Sequence, residues 1–480
     1  MRKHVLIAAA LFGTGCIPTL VENPSREVSK AVPKSFRRDQ KSESDAEKDN
    51  SGLKTWKEFF ASAELQGLIE QALKNNQELN FQLQEIIISQ NEVYARRGEY
   101  IPKMGAFLGA GGDKVSEWSS QGASDKANGL PPFLGNFNFG LQGSWEVDIW
   151  GKLRNAANAA QMRYLASGEA RNFLITQLVA EIARSYYELL ALDNQLEVLQ
   201  RNIQIQTDAL EVVKIEKQGA RVTQLAVQRF EAEVLKNRSR LYYLEQQRIV
   251  VENRINFLVG RFPQPVARNK EQLLAPLPAM LGSGLPSELL DNRPDLRQAA
   301  LQLEAAKLDV KSTRARFFPS LSIDAAMGYQ SFNITHLVDT PASLIANFAG
   351  NILQPLLNRR GIEADYRTAN AKQIQAIISY ERTLLQAFTD VANQQAKYEN
   401  LQKSFTLQSQ QVDVLKQSVD VSNTLFQSAR ADYMEVLLTR RDSLDAQMEL
   451  IETRLAMLES MVNMYQALGG GWQAPAKPQE

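Results

Sequence analysis

Two stretches, NRINFLVG at 253–260 and NMYQALGG at 463–470, decide the fold, because both have the form of the same helix ending. They lie 210 residues apart, and the same offset takes Gly151, which opens a long helical stretch, to Gly361. A period this long indicates two copies of a large unit, whereas solenoids repeat every 20 to about 50 residues. We therefore predict two internal repeats, residues 62–270 and 271–480.

Composition restricts the class of protein. The 480 residues carry 54 basic and 54 acidic side chains, so bulk charge predicts no nucleic-acid partner. Beyond the N-terminus no run of about 18 apolar residues occurs, and transmembrane helices are not expected.

The N-terminus has the form of a secretory signal. Arg2 and Lys3 precede an apolar run at 5–12 and the small residues at 13–15, and Cys16 follows as the single cysteine of the chain. Cys16 resembles the lipid-bearing cysteine of bacterial lipoproteins, which predicts a signal peptide over 1–15 and a lipidated leader over 16–61. The alternative is a soluble secreted protein cut near residue 16. Apart from this covalent lipid, no cofactor is expected.

Each predicted repeat reads helix, strand, loop, strand, long helix, break and helix. The first helices end before Pro102 and Pro319. Strict alternation of apolar and polar residues, clearest at 136–150 and 321–329, predicts strands long enough to cross a bilayer when tilted. The predicted ranges are helices 62–99 and 290–317, strands 103–112, 136–150, 321–329 and 344–356, long helices 152–216 and 362–427, and last helices 223–258 and 433–468.

Four strands per chain are too few to close a membrane barrel, which needs about eight. Unpaired strand edges are unstable, so the strands must be completed by other copies of the chain. The long helices have heptad-like spacing, and some 65 residues of helix extend nearly 100 Å. A cytosolic coiled coil is the alternative for these helices, and the signal and the strand pairs disfavour it.

Four motifs in order resemble the outer-membrane efflux factor (TolC-like) family, in its lipoprotein branch that works with resistance-nodulation-division pumps. They are WEVDIWGKLR at 145–154, GLPSELL at 284–290 with RPD at 293–295, ARFFPSLS at 315–322, and ALGGGW at 467–472. The resemblance implies a mainly α chain with a small β portion. It also implies a homotrimer with a twelve-stranded outer-membrane barrel on a helical periplasmic tunnel. Such proteins are passive ducts that receive small molecules or metal ions from an inner-membrane pump through a periplasmic adaptor.

The candidate site residues lie at the two breaks, where the resemblance places the periplasmic tips and the adaptor contact. The breaks comprise Gly219, Ala220, Arg221, Val222 and Thr223, and Ala429, Arg430, Ala431, Asp432 and Tyr433. In the family, carboxylates of the last helix surround a closed aperture, and Glu435 matches one such position. The second acid would fall at Leu438, and we expect Asp432 to replace it. Tyr433 and Arg430 complete the predicted aperture, and an ordinary solvated helix face is the alternative.

No catalytic apparatus is expected. The two histidines, His4 and His336, lie in the signal and in a predicted loop, and no nucleophile has a base near it in the sequence. The competing functional class is a periplasmic structural lipoprotein built on long helical hairpins. Such a scaffold has no use for a lipid-facing strand, and the strand pairs therefore favour the export duct.

Overall fold

The computed structural model describes residues 17, 26–28, 33, 35–36, 50–275, 282–428 and 430–473. The chain divides into two compact units, each assembled from both halves of the sequence. The sheet unit consists mainly of Ile86–Ala166 and Ala299–Tyr380. The helical unit consists of Ser29–Glu85, Ser167–Gln298 and Glu381–Glu480. Because the units cut across the predicted repeats, the division at residue 270 stays a prediction.

Seven helices of more than eight residues and four strands make up the described chain. The helices are α1 Ala63–Asn75, α2 Gln77–Glu99, α3 Lys152–Gln218, α4 Gln224–Val259, α5 Pro294–Ala315, α6 Arg360–Gln427 and α7 Tyr433–Ala467. The strands are β1 Lys103–Asp113, β2 Leu134–Val147, β3 Ser320–Ser331 and β4 Leu344–Leu353. Short α-helices lie at Trp56–Phe59, Ser120–Ala127 and Leu289–Asn292, and 3-10 turns lie at Ser51–Leu53, Lys270–Leu273, Pro286–Glu288 and Ile334–His336. In the described part of the chain, no helix is long and apolar enough to cross a membrane.

Two local features differ from the sequence-based expectation. The first helix is interrupted at Asn76, whose backbone is extended and whose side chain caps α2 by accepting from the Leu79 N–H at 2.9 Å. The Asn76 amide also donates to the Leu258 carbonyl at 2.8 Å. Gly361, expected just before the last long helix, lies inside its first turn.

The sheet has the order β1-β2-β3-β4, and every neighbouring pair is antiparallel. The register places apolar or aromatic residues along one whole face, interrupted only by Ser331 at the end of β3. Examples are Leu108 and Phe348, which are 87% and 77% exposed in the single chain. The opposite face carries the charged and amide side chains, such as Asp324, which accepts from Asn351 at 3.1 Å. The sheet is therefore amphipathic, and its two edge strands, β1 and β4, have no further strand partner within the described chain.

The junction between β2 and α3 explains one of the sequence motifs. The Asp148 carboxylate accepts from the Leu153 and Arg154 N–H groups, at 3.1 and 2.9 Å, and so caps the first turn of α3. Gly151 has φ +73°, a backbone conformation that an L-residue rarely adopts. The indole of Trp150 donates to the Pro319 carbonyl at 2.8 Å.

The core of the helical unit is built mainly from α1, α3, α4 and α7. Tyr186 on α3 and Tyr465 on α7 are its largest fully buried side chains, and Tyr465 stacks on Phe59 with ring centroids 4.0 Å apart. The RPD motif also serves packing here. Arg293 is buried and donates to both Asp295 oxygens and, at 3.0 Å, to the Ala467 carbonyl at the end of α7.

Candidate functional site

The first predicted tip is the tight turn between α3 and α4. The Arg221 N–H donates to the Glu216 carbonyl, and the Ala220 N–H donates to that of Lys217, both at 2.9 Å. This pattern closes the α3 helix and requires a left-handed residue. That residue is Ala220, with φ +58°, whereas Gly219 keeps ordinary backbone angles. Thr223 then caps α4 by accepting from the Ala226 N–H at 3.4 Å.

The second tip, between α6 and α7, is closed by a hydrogen bond of the same kind. The Arg430 N–H donates to the Leu425 carbonyl at 2.8 Å, as Arg221 does in the first tip. Asp432 takes the N-cap position that Thr223 occupies, but its side chain makes no cap hydrogen bond. Ala429 lies outside the described residues.

The two tips are therefore 209 residues apart, and the offset of 210 read from the sequence is one residue too long. The left-handed glycines that follow α4 and α7, Gly260 and Gly469, are separated by the same 209 residues. Arg221 thus corresponds to Arg430, because both occupy the same place in the helix-closing turn.

The side chain of Tyr433, at the second tip, is partly buried. It packs, with Leu437 and Val222, against a buried apolar cluster of the first hairpin (the tip cluster), made of Leu210, Val213, Ala226, Val227, Phe230 and Val234. Tyr433 therefore joins the two hairpins within one chain, which its sequence position alone did not indicate.

The predicted acids are placed on one exposed face of α7. Asp432 and Glu435 are exposed, and Leu438 lies between Glu435 and Asp442 on the same stripe, 39% exposed. Arg221 and Arg430 are exposed as well, and Ala431 is half-buried. Among the described residues, no ion pair joins these arginines to Asp432 or Glu435. The structure thus brings the acids together on one surface but does not pair them with the two arginines.

The sequence reasoning missed a group of polar residues, two of them buried, further along the same helices. Gln206 on α3 and Asn237 on α4 are each 1% exposed, and the Asn237 amide donates to the Gln206 carbonyl oxygen at 2.8 Å. Arg440 on α7 donates to Asn423 at 2.8 Å. The available signal was the interruption of apolar residues spaced three and four apart, at Gln206 and at Arg440.

The described side chains include no cluster of three or more His, Cys, Asp or Glu residues that could hold a metal ion. His336 is the one histidine in the described range. Its Nδ1 lies 2.7 Å from Oδ2 of Asp339, in the loop between β3 and β4.

The outer membrane efflux protein family model matches residues 68–261 and 285–470. The chain is 29% identical over 474 residues to "Pyoverdine export outer membrane protein OpmQ" of Pseudomonas aeruginosa, which covers 99% of this chain and 98% of that protein. It is 26% identical to "Cation efflux system protein CusC" of Escherichia coli, covering 98% and 99%. The open-state MtrE outer membrane channel of Neisseria gonorrhoeae has the same fold, with a TM-score of 0.80 at 24% identity over 94% of this chain and 98% of that one.

These similarities confirm the mainly helical fold with four strands per chain that the sequence predicted. They also confirm export across the outer membrane as the function, in preference to a structural scaffold. Since the family model matches both halves of the sequence and most of its length, the chain belongs to the family of outer membrane efflux proteins.

Proposed function

We propose that three copies of this chain form the passive exit duct of a tripartite efflux system. An inner-membrane resistance-nodulation-division pump supplies the substrate through a periplasmic adaptor. The duct binds no cofactor and performs no chemistry on what passes. The observation that carries the proposal is the sheet, with one apolar face and two edges that pair with no other strand of the described residues.

The sheet favours a closed assembly of copies. An exposed apolar face in water and two open edges are both unfavourable for a single chain. Three four-stranded sheets joined edge to edge give a twelve-stranded barrel with no free edge, within the size range of outer-membrane barrels. The apolar face then meets lipid, and the face with Asp324, Gln142 and Asn347 lines the lumen.

The two tips serve as aperture and adaptor contact in this proposal. Asp432 and Glu435, exposed and unpaired with the tip arginines, line the aperture, and Arg430 and Tyr433 flank them. The adaptor contacts the tip residues at 219–223 together with Ala429 and Ala431. Two exposed turns that are closed by the same kind of hydrogen bond, at the ends of long hairpins, suit a partner that contacts both.

The substrate class is small molecules or metal ions. The names of the two relatives given above indicate different cargo, pyoverdine for one and cations for the other. Because relatives of one family carry such different cargo, the shared fold does not set the substrate, and we assign its selection to the pump.

The lipid anchor on Cys16 is part of the proposal, and it rests on the signal pattern of 1–15, because Cys16 lies outside the described residues. Cys16→Ser should abolish incorporation of labelled fatty acid while leaving the trimer in the membrane, which the barrel holds by itself. A mature N-terminus at another residue, found by mass spectrometry, would contradict it.

Two neighbouring residues of β4 test the barrel. Phe348 lies on the apolar face and Asn347 on the polar face. Arginine on a lipid-facing strand position costs about 2–4 kcal/mol at mid-membrane, whereas lumen positions tolerate charge. Phe348→Arg should therefore prevent trimer formation in the outer membrane. Asn347→Arg should assemble normally and shift planar-bilayer conductance toward anions. Equal assembly of both variants would contradict the proposed barrel.

A further inference from the structure

The polar face of the sheet contains a recess (the sheet recess), which lies near the start of β1. Across the register, Gly105 faces Gln142, Gln142 faces Ala326, and Ala326 faces Asn347. Gly105 and Ala326 are small, and this row of the face leaves a recess of about 430 Å³. Gln142 and Asn347 line the recess with amide groups, which both donate and accept hydrogen bonds.

One positive and one negative side chain flank the sheet recess. They are Lys103 on β1 and Asp324 on β3. Lys103 faces Ser144 in the register, and Ser144 faces Asp324, so the two charged residues lie at one level and two strands apart. Because neighbouring strands are about 4.8 Å apart, the two Cα atoms are separated by about 10 Å. Both side chains are exposed, and neither forms an ion pair with another described residue.

Charged residues are rare in this sheet. Its four strands contain only four of them, among 47 residues that are otherwise apolar, small, hydroxyl or amide side chains. Asp113 lies at the far end of β1, and Glu146 forms an ion pair with Lys152. Lys103 and Asp324 are therefore the two charges at this end of the sheet that have no ionic partner among the described residues.

The arrangement of these two charges defines the ligand that would fit. Oδ2 of Asp324 accepts a hydrogen bond from Asn351 at 3.1 Å, which orients the carboxylate. Both charged side chains rise from the same face, so a ligand between them needs an ammonium group for Asp324 and a carboxylate for Lys103. A charge-assisted hydrogen bond takes up about 3 Å at each end. About 4 Å of the 10 Å spacing then remains between the two charges of the ligand.

We propose that the sheet recess binds zwitterions, namely amino-carboxylates whose ammonium and carboxylate groups lie about 4 Å apart. Lys103 binds the carboxylate, Asp324 binds the ammonium group, and the amides of Gln142 and Asn347 bond polar groups between them. A molecule with a single charge gains attraction at one end of the recess and meets a like charge at the other. The inference goes beyond the export duct. It rests on the proposed barrel only for placing the recess in the lumen, because all its residues belong to one chain.

The test measures binding of β-alanine, an amino-carboxylate with this charge spacing, to the full-length protein in detergent by saturation-transfer NMR. Propionate and propylammonium are probes of similar size that each carry one charge. Lys103→Met and Asp324→Asn each remove one charge of the recess with little change in size. Lys114→Met and Asp113→Asn are the matched controls, because they change the same residue types at exposed positions at the other end of β1.

β-Alanine should bind the unsubstituted protein more tightly than either probe of single charge does. Lys103→Met and Asp324→Asn should each raise the Kd of β-alanine about fivefold, which is the upper end for an ion pair in contact with solvent. The two control variants should retain the Kd of the unsubstituted protein.

Three results would overturn the inference. They are no saturation transfer to β-alanine, equal binding of β-alanine and the probes of single charge, and an unchanged Kd in both recess variants. Trimer yield, measured on the same samples, tests the duct separately. A protein that binds β-alanine through Lys103 and Asp324 but does not form a trimer would count against the duct and not against this inference.

Discussion

One residue of the first tip, Ala220, carries backbone strain that the sequence did not indicate. The sequence drew attention to Gly219, yet the left-handed residue is Ala220, because the helix-closing hydrogen bonds fix that position one residue later. Gly219 has open space around it, and a Cβ there would meet only the Glu216 carbonyl, at 3.5 Å. Sequence reasoning located the turn, but the residue that bears the strain depends on hydrogen bonds that only the structure shows.

Ala220→Gly should stabilise the protein. A left-handed L-residue costs about 1–2 kcal/mol, and glycine removes most of that cost. We expect the midpoint of heat-induced unfolding to rise. Ala232→Gly, at an exposed position inside α4, should lower it, because glycine costs about 0.5–1 kcal/mol in a helix. A decrease in both variants would show that the Ala220 backbone is not strained.

Glu459 on α7 should make stability depend on pH. Burial raises its pKa above the usual 4.5, and the nearby Glu188 adds to this, while Lys397, Arg184 and Arg254 oppose it. Below 4.5 the carboxyl is neutral in both folded and unfolded chains. As the pH rises from there through the raised pKa, the unfolded chain loses its proton first, and folding stability falls.

Glu459→Gln should remove that fall. The variant should unfold at a higher temperature than the unsubstituted protein at pH 7 and at about the same temperature at pH 4. Glu231→Gln, on the exposed surface of α4, should not change the difference between the two pH values. A Glu459→Gln protein less stable at pH 7 would show that the carboxylate forms a favourable ion pair.

At the scale of elements, the sequence predicted the long helices and the four strands, because heptad-like spacing and, for β2 and β3, strict alternation extend over about ten or more residues. The breaks were harder. Asn76 interrupts the first helix through its own side-chain cap, and Ser120–Ala127 forms a helix inside a predicted loop. The pairing of β2 with β3, which joins the two halves, could not be read from either half alone.

That central pairing depends on a glycine pair. Gly140 on β2 and Gly328 on β3 face each other, and a Cβ at Gly140 would lie 2.4 Å from the Met327 carbonyl. A Cβ at Gly328 would lie 2.2 Å from the Phe139 carbonyl. These neighbours are backbone and cannot move without disturbing the ladder.

Gly140→Ala and Gly328→Ala should each reduce the amount of trimer in the outer membrane and lower its dissociation temperature. Overpacking of this kind costs about 1–3 kcal/mol per chain. Gly105→Ala is the matched control. Gly105 lies on β1, on the same face of the sheet as Gly140 and Gly328, and no atom lies within 4 Å of the position that its Cβ would take. Equal trimer yield in all three variants would mean that the strands adjust freely.

At the scale of the whole molecule, both the family and the sheet with its two edges indicate a trimer, and the proposed role of the tip acids depends on that trimer. The resemblance to the family predicted that Asp432 and Glu435 lie together at the start of the last helix, and residues three positions apart do share a helix face. The sequence did not predict that Tyr433 packs against the first hairpin, because that contact joins residues about 200 positions apart.

Three-fold symmetry should bring three copies of Glu435, and three of Asp432, close to one axis. Like-charged carboxylates repel each other and attract cations, so these acids should govern ion flow at the aperture.

Glu435→Gln combined with Asp432→Asn keeps side-chain size and removes six charges per trimer. Since Asp432 makes no side-chain cap and both residues are exposed, folding should be unaffected. In planar bilayers the double variant should lose cation selectivity and block by divalent cations. Asp413→Asn, at an exposed position on α6 about 20 Å of helix from the tip, should retain both. The loss of six charges at a constriction must change ion flow. Identical selectivity and block in the double variant and the unsubstituted trimer would therefore show that these acids do not line the aperture.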